Sequence, residues 1–144
     1  MRQIEIPERF NIAAALLDGN IERRRGDKVA IYFGEQKLTY KDIQNMSNKF
    51  GNALKGLGID MENRIAILLP DCPQWIASFF GAIKIGAVPV LLNTMLRPKD
   101  YEYFLNDSRV RAIVVTDDLV ANIEVIGDNL DYLEHIIVVG GAKE

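Results

Sequence analysis

Four runs of apolar residues, at 65–69, 88–92, 111–115 and 136–139, recur along the second half of the chain with helix-length segments between them. A strand on the surface of an antiparallel sheet alternates apolar and polar residues, because its side chains point to opposite faces in turn. A strand that is apolar throughout needs cover on both faces, and a parallel sheet receives that cover from the helices that connect its strands. The pattern therefore predicts an α/β fold: a doubly wound, mainly parallel sheet with flanking helices.

The connecting segments fit this reading. Residues 74–85, 98–106 and a short stretch at 119–127 carry apolar residues at helical spacing, and Pro73 suits the first turn of a helix. Upstream, Asn11 is placed to cap a helix over residues 12–25 ended by Gly26, with Arg23, Arg24 and Arg25 complementing the dipole at its end. Residues 29–33 and 36–38 flank Gly34-Glu35 and read as a small hairpin. Thr39 followed by Asp42 forms a capping box with Asp in place of Glu, and Ile43, Met46, Phe50, Leu54 and Leu57 continue it as a helix up to Gly58. The doubly wound part spans 63–144, the helix, hairpin and helix 1–62, and together they read as one subdomain. The sheet stops on a strand followed by Gly140-Gly141-Ala142-Lys143-Glu144, so the reading is of an unfinished sheet, a piece of a larger domain.

Composition narrows the function. A net charge of -3 with 26% charged residues gives no basic surface of the kind nucleic acids require, and 49% apolar residues suit a packed core. No apolar run approaches the ~20 residues that span a bilayer, and residues 1–7 have no signal-peptide core, so the expectation is a cytoplasmic protein. A single cysteine, Cys72, rules out an internal disulfide and a cysteine metal site.

In an open parallel sheet, ligands meet loops beyond the carboxyl ends of strands. The loop Pro70-Asp71-Cys72-Pro73 occupies such a place, where Asp71 either meets a ligand or caps the next helix, the latter being the reading favoured. Cys72 as a nucleophile would need a base, and the one imidazole, His135, stands at no recognisable spacing from it. Asp117 and Asp118 read as caps and not as a metal or acid/base pair. Trp75, Phe79 and Phe80, and likewise Tyr101, Tyr103 and Phe104, read as core aromatics, Phe104 foremost in its group. Neither G-x-G-x-x-G nor G-x-x-x-x-G-K-[ST] occurs anywhere.

Several short motifs, weak singly, occur in one order: Pro7-Glu8-Arg9-Phe10-Asn11, Leu38-Thr39-Tyr40, Gly56-Leu57-Gly58-Ile59, the segment 64–93, and Leu105-Asn106-Asp107-Ser108. Together they resemble the amino-terminal part of the AMP-forming adenylate-forming enzymes, in the acyl-CoA synthetase branch. The opening motif and residues 92–105 look most like benzoate-CoA ligases. The resemblance implies a parent enzyme that joins a carboxylic acid to CoA with ATP and magnesium, through an acyl-adenylate, releasing AMP and pyrophosphate. It also implies that the phosphate loop, the magnesium carboxylate, the mobile catalytic lysine and the acid pocket lie outside these 144 residues. No catalytic or metal residue is therefore assigned, and the chain alone is expected to be inactive and to hold no cofactor. Some relatives place an arginine two residues after the position of Asn93, against the nucleotide part of CoA. Here Met95 stands there, and Arg97 and Lys99 are the nearby candidates for CoA phosphate contacts.

Two other classes of function compete: a stand-alone flavodoxin-like nucleotide or flavin binder, and a non-catalytic interaction module. Apolar surface left by an unfinished sheet leads to one further expectation, a homodimer.

Overall fold

A computed structural model of the protein describes residues 7–140. The amino-terminal residues that bear on a leader, and the tail after Gly140, lie outside the described residues. Asn11 opens the first helix, its Oδ1 accepting the Ala14 N–H at 3.1 Å while its amide donates to the Ile83 carbonyl at 2.8 Å. This helix, α1, passes from a π-helical stretch at Ala14–Asp18 into an α-helical turn at Gly19–Glu22. It stops short of residue 25, and Gly26 is not its terminator: Arg24 takes the left-handed φ of 57° that reverses the chain.

Val29–Phe33 (β1) and Gln36–Thr39 (β2) form the hairpin, joined through Gly34 at φ 54°. The second helix, α2 (Tyr40–Gly56), starts from the capping box read in the sequence. Asp42 N–H donates to Thr39 Oγ1 at 3.2 Å, and Thr39 N–H donates to the Asp42 carboxylate at 2.8 Å. A cap of this kind stabilises a helix by about 1 kcal/mol.

The remaining elements alternate: β3 (Arg64–Leu68), α3 (Pro73–Lys84), β4 (Val88–Leu91), α4 (Pro98–Asp107), β5 (Val110–Thr116), α5 (Val120–Glu124), a 3₁₀ turn at Gly127–Asn129, and β6 (His135–Val139). The four strands pair in the order β4-β3-β5-β6, parallel throughout. The path runs from β3 outward to β4, then back past β3 to β5 and on to β6. Right-handed crossovers in opposite directions put their helices on opposite faces, and the core divides accordingly. Ile65, Ile67, Ala112 and Val114 meet Leu54 of α2 and Ala82 of α3 on one face. Ala66, Leu68, Ile113 and Val115 meet Tyr101 and Leu105 of α4 and Ile123 of α5 on the other. Each fully buried Ile, Leu or Val contributes roughly 1.5–3 kcal/mol through the water it leaves.

Full cover on both faces holds for the central strands β3 and β5 and fails at the edges. Val88 and Leu91 of β4, and Ile136 and Val138 of β6, remain exposed, although their runs are as apolar as those inside. An edge strand lacks a neighbour whose helix would overhang it, and hydropathy alone does not reveal which strand is an edge.

Two further expectations change. In α4 the core residue is Tyr101, fully buried, whereas Phe104 is 41% exposed. Tyr101 and Leu105 stand one turn apart and both face the sheet, and the phenol donates to the Asn93 carbonyl at 2.9 Å, so its polar tip is satisfied. Neither Asp71 nor the Asp117-Asp118 pair caps a helix. The N-cap residues are Cys72 and Leu119, and no side chain makes a capping bond at either end.

Candidate functional site at the carboxyl edge of the sheet

β3 and β5 lie side by side, and the chain leaves them in opposite directions, so their carboxyl ends form the switch point of the sheet. Three loops rise there, after Leu68, Leu91 and Thr116, and β6 ends beside them at Val139. Two cavities open among them. One, of about 480 Å³, is lined by Leu69, Asp71, Trp75, Leu92, Asn93 and Thr94. The other, of about 370 Å³ and mostly apolar, lies between the hairpin and α3, with Ile31, Phe33 and Cys72 in its wall. Asp71 and Trp75 line both. Trp75 is held by stacking on Phe79, with ring centroids 5.4 Å apart and planes 12° apart. Since Cys72 takes the N-cap position, the exposed Asp71 carboxylate stands at the mouth where the two cavities meet.

The β5 exit carries a residue that hydropathy did not single out. Thr116 Oγ1 is buried, and among the described residues it has no hydrogen-bond partner. Beside it, Asp117 approaches Gly140 so closely that a Cβ on Gly140 would stand 2.8 Å from the carboxylate. With φ at 138°, Gly140 adopts a backbone conformation that favours glycine, whereas the exposed Asp117 side chain could swing aside from a Cβ. An unused hydroxyl and a carboxylate thus stand together at the exit of β5, a signal visible only after folding.

The β4 exit is ordered by its own side chains. Asn93 Oδ1 accepts the Met95 N–H at 2.9 Å, and the Asn93 carbonyl receives the Tyr101 hydroxyl. Burial raises the Tyr101 phenol above the ordinary tyrosine range. Arg97 follows, its side chain 84% exposed, with Nε 3.2 Å from Asp100 Oδ2. The hydrogen bond and charge of Arg97 hold the Asp100 carboxyl below its ordinary value. Arg97 thus makes a surface ion pair with Asp100, while Lys99 makes no ion pair among the described residues. Arg97 is the N-cap of α4 and Lys99 lies in its first turn, and neither lines the larger cavity.

Cys72 and His135 are far apart in the fold. His135 is the first residue of β6, at the amino end of the sheet, and Cys72 lies beyond the carboxyl end of β3. The length of a five-residue strand, roughly 16 Å, separates those ends, and His135 Nε2 instead stands 3.0 Å from the Leu57 carbonyl. At that same amino end Arg111 gathers Glu134, Asn63 and the Gly58 carbonyl, with Nε 2.9 Å from Glu134 Oε1. Arg111 holds the Glu134 carboxyl below its ordinary value. These contacts fasten the amino end of the sheet, where a cavity of about 330 Å³ also opens beside Arg109, Arg111 and Glu134.

Among the described residues no three of His, Cys, Asp and Glu come together to hold a metal ion. Asp71 stands on the β3–α3 loop and Asp117 and Asp118 on the β5–α5 loop, so magnesium finds no donor set in them.

Comparison with known proteins decides the lineage of this arrangement. The family model for AMP-binding enzymes matches residues 17–143. The chain belongs to the AMP-binding enzyme family. It is similar to the 4-hydroxybenzoate–CoA/benzoate–CoA ligase of Rhodopseudomonas palustris, 38% identical over 133 residues, which cover 92% of this chain and 25% of the relative. To the benzoate–CoA ligase of Thauera aromatica it is 37% identical over 142 residues, 98% of this chain and 27% of that one. Among solved structures, an anthranilate CoA ligase, AuaEII, in complex with anthranoyl-AMP superposes with a TM-score of 0.89 at 40% identity, over 94% of this chain and 26% of its own. A benzoate CoA ligase from Burkholderia xenovorans gives 0.80 at 33%, over 91% and 26%. This member of the AMP-binding enzyme family thus spans about a quarter of the length of those relatives. The fold is that of their amino-terminal part: parallel sheet, flanking helices and antiparallel hairpin. Among the described residues no helix is long and apolar enough to cross a membrane.

Proposed function

We propose that this chain is the amino-terminal scaffold of an ATP-dependent carboxylic acid–CoA ligase. The enzyme joins acid, ATP and CoA to give acyl-CoA, AMP and pyrophosphate through an acyl-adenylate, with magnesium, in the cytoplasm. Its acid belongs to the aryl or short-acyl class. The observation that carries the reading is the similarity to aryl-CoA ligases along nearly the whole chain. The carboxyl edge described above supports it, because it offers shaped cavities where ligands of such sheets bind. Charge develops on transferring phosphate during adenylation, and stabilising it takes donors aimed at those oxygens. The contribution of this chain is positional: rigid strands that hold loops in register.

Arg97 and Lys99 are the residues of this chain proposed to meet CoA phosphates. Lys99 carries the greater share, since Arg97 already pairs with Asp100.

Thermal melting with ATP, AMP or FMN tests the scaffold reading against a self-contained binder. Ligand at a hundred times Kd stabilises a folded binder by about 2.7 kcal/mol, which reads as several degrees. The scaffold reading predicts melting temperatures unchanged within error. A rise of several degrees with any one of the three overturns it.

A further inference from the structure

The cavity at the amino end of the sheet holds more positive charge than the fold itself uses. Arg64, Arg109 and Arg111 line its space of about 330 Å³, together with Tyr132 and the carboxylates Asp131 and Glu134. The backbone brings the three arginines side by side. β3 and β5 pair Arg64 with Val110 and Ile65 with Ala112, so Arg111 is an extra residue on β5, and Arg64 stands beside the segment from Arg109 to Arg111. A one-residue insertion of this kind re-aims the side chain it carries.

Arg111 is committed: its guanidinium binds Glu134, the Asn63 side chain and the Gly58 carbonyl. The other two arginines are not. Among the described residues neither Arg64 nor Arg109 forms an ion pair. Arg109 is held instead by Tyr132, with its guanidinium carbon 5.7 Å from the ring centroid. An aromatic face attracts a cation without cancelling its charge, so Arg109 is fixed at the cavity with its donors to spare. Against these two guanidinium groups stands one carboxylate outside any ion pair, Asp131, which leaves the wall positive. Such a wall repels cations and offers little to an apolar ligand. Guanidinium forks match the oxygens of a phosphoryl group two at a time. We propose that the amino end of the sheet is a binding site for a small phosphate-bearing anion, held by Arg64 and Arg109, with Tyr132 supporting Arg109 and Arg111 as the fixed wall. The site lies at the opposite end of α4 from Arg97 and Lys99, and the inference is independent of the ligase reading.

Isothermal titration calorimetry of the 144-residue chain with inorganic pyrophosphate, in buffer free of phosphate and sulfate, tests it. Circular dichroism and thermal melting show that each variant is folded and give a second readout of binding. One site with a Kd of about 1 mM or below is expected, weakening with added sodium chloride as exposed charge pairs do. Arg64→Gln and Arg109→Gln are each expected to weaken binding about tenfold. Tyr132→Leu releases Arg109 and should weaken it less, whereas Asp131→Asn removes a repulsion and should tighten it. Lys37→Gln, on the hairpin, should leave it unchanged. Neither heat nor a rise in melting temperature at about 10 mM pyrophosphate overturns the proposal. Binding indifferent to both arginine variants, or weakened equally by Lys37→Gln, overturns it too. Melts of R64Q/R109Q with ATP, AMP or FMN report on the carboxyl edge alone, so this proposal and the scaffold reading fail separately.

Discussion

Gly81 of α3 lies so close to Ser47 of α2 that a Cβ on the glycine would stand 2.6 Å from the Ser47 carbonyl oxygen and 2.9 Å from Phe50 Cδ1. Gly51 meets Gly81 from the other side, with 3.0 Å from its virtual Cβ to the Gly81 carbonyl. The two helices that cover one face of the sheet therefore touch backbone to backbone. Replacing Gly81 by alanine gains about 1 kcal/mol of helix propensity and forces apart backbone atoms that have nowhere to move, an overpacking cost of roughly 1–3 kcal/mol or more. The overlap is with backbone, so the cost prevails. Urea unfolding of Gly81→Ala is expected to show a net loss of about 1–2 kcal/mol, and unchanged stability would mean that the helices separate easily.

Ser47 itself is fully buried, and its hydroxyl has no hydrogen-bond partner among the described residues. A buried, unpaired hydroxyl costs about 1–3 kcal/mol in lost hydration. Ser47→Ala removes that cost and introduces a better helix former, so unfolding should show the variant more stable by about 1 kcal/mol. A destabilised variant would indicate that the hydroxyl is bonded in solution.

Asp18 joins three helices. Lys84 Nζ lies 2.6 Å from its carboxylate and 2.7 Å from Asn48 Oδ1, and Gln44 donates to Asp18 at 2.6 Å. Burial pushes the Asp18 carboxyl up, but the hydrogen bonds from Lys84 and Gln44 and the Lys84 charge outweigh it and leave the group below its ordinary 3.8. A folded-state value below the unfolded one gives stability that is present above pH 3.8 and is lost as pH falls through the folded value. The pair is partly exposed, so its contribution is about 1 kcal/mol or less. Asp18→Asn is therefore expected to lose stability at neutral pH and to converge with wild type in acid. Denaturant titrations at both pH values check this, and parallel curves across the range would contradict it.

Phe79 was read as core, and its ring is only half-buried, between the stacked Trp75 and the edge-on Phe80. Fully buried phenylalanine loses about 3–5 kcal/mol on truncation to alanine, and here about 2–3 kcal/mol is expected. In a full-length ligase the same change should lower stability and leave the choice of acid unaltered. Retained stability with altered acid selectivity would show that the aromatic stack shapes the acid pocket.

Much of this fold was legible because local and global signals agree. Thr39 and Asp42 name a helix start by their own hydrogen-bonding chemistry, and the apolar runs name the central strands because β3 and β5 truly need cover on both faces. Phe104 was misjudged because hydropathy ranks phenylalanine above tyrosine, whereas the spacing of Tyr101 to Leu105 sets the buried face and Asn93 satisfies the phenol. Asp71, Asp117 and Asp118 were read as caps because aspartate before a helix ordinarily caps it, and here each carboxylate stays free at the carboxyl end of the sheet. Thr116 carries no pattern at all: its hydroxyl becomes unusual only when the fold buries it without a partner. Of the candidate site, the loop 70–73 was readable from strand–helix order, and the joining of two cavities at Asp71 and Trp75 was not, since it depends on where the hairpin packs.

The central claim is that this chain scaffolds acid activation without performing it. The direct measurement is acid-dependent exchange of pyrophosphate into ATP, by the chain alone and by the Thauera aromatica benzoate–CoA ligase with its matching amino-terminal segment replaced by this chain. The account predicts no exchange from the chain alone and benzoate-dependent exchange from the folded chimera. Exchange by the chain alone, or none from a folded chimera, would contradict it.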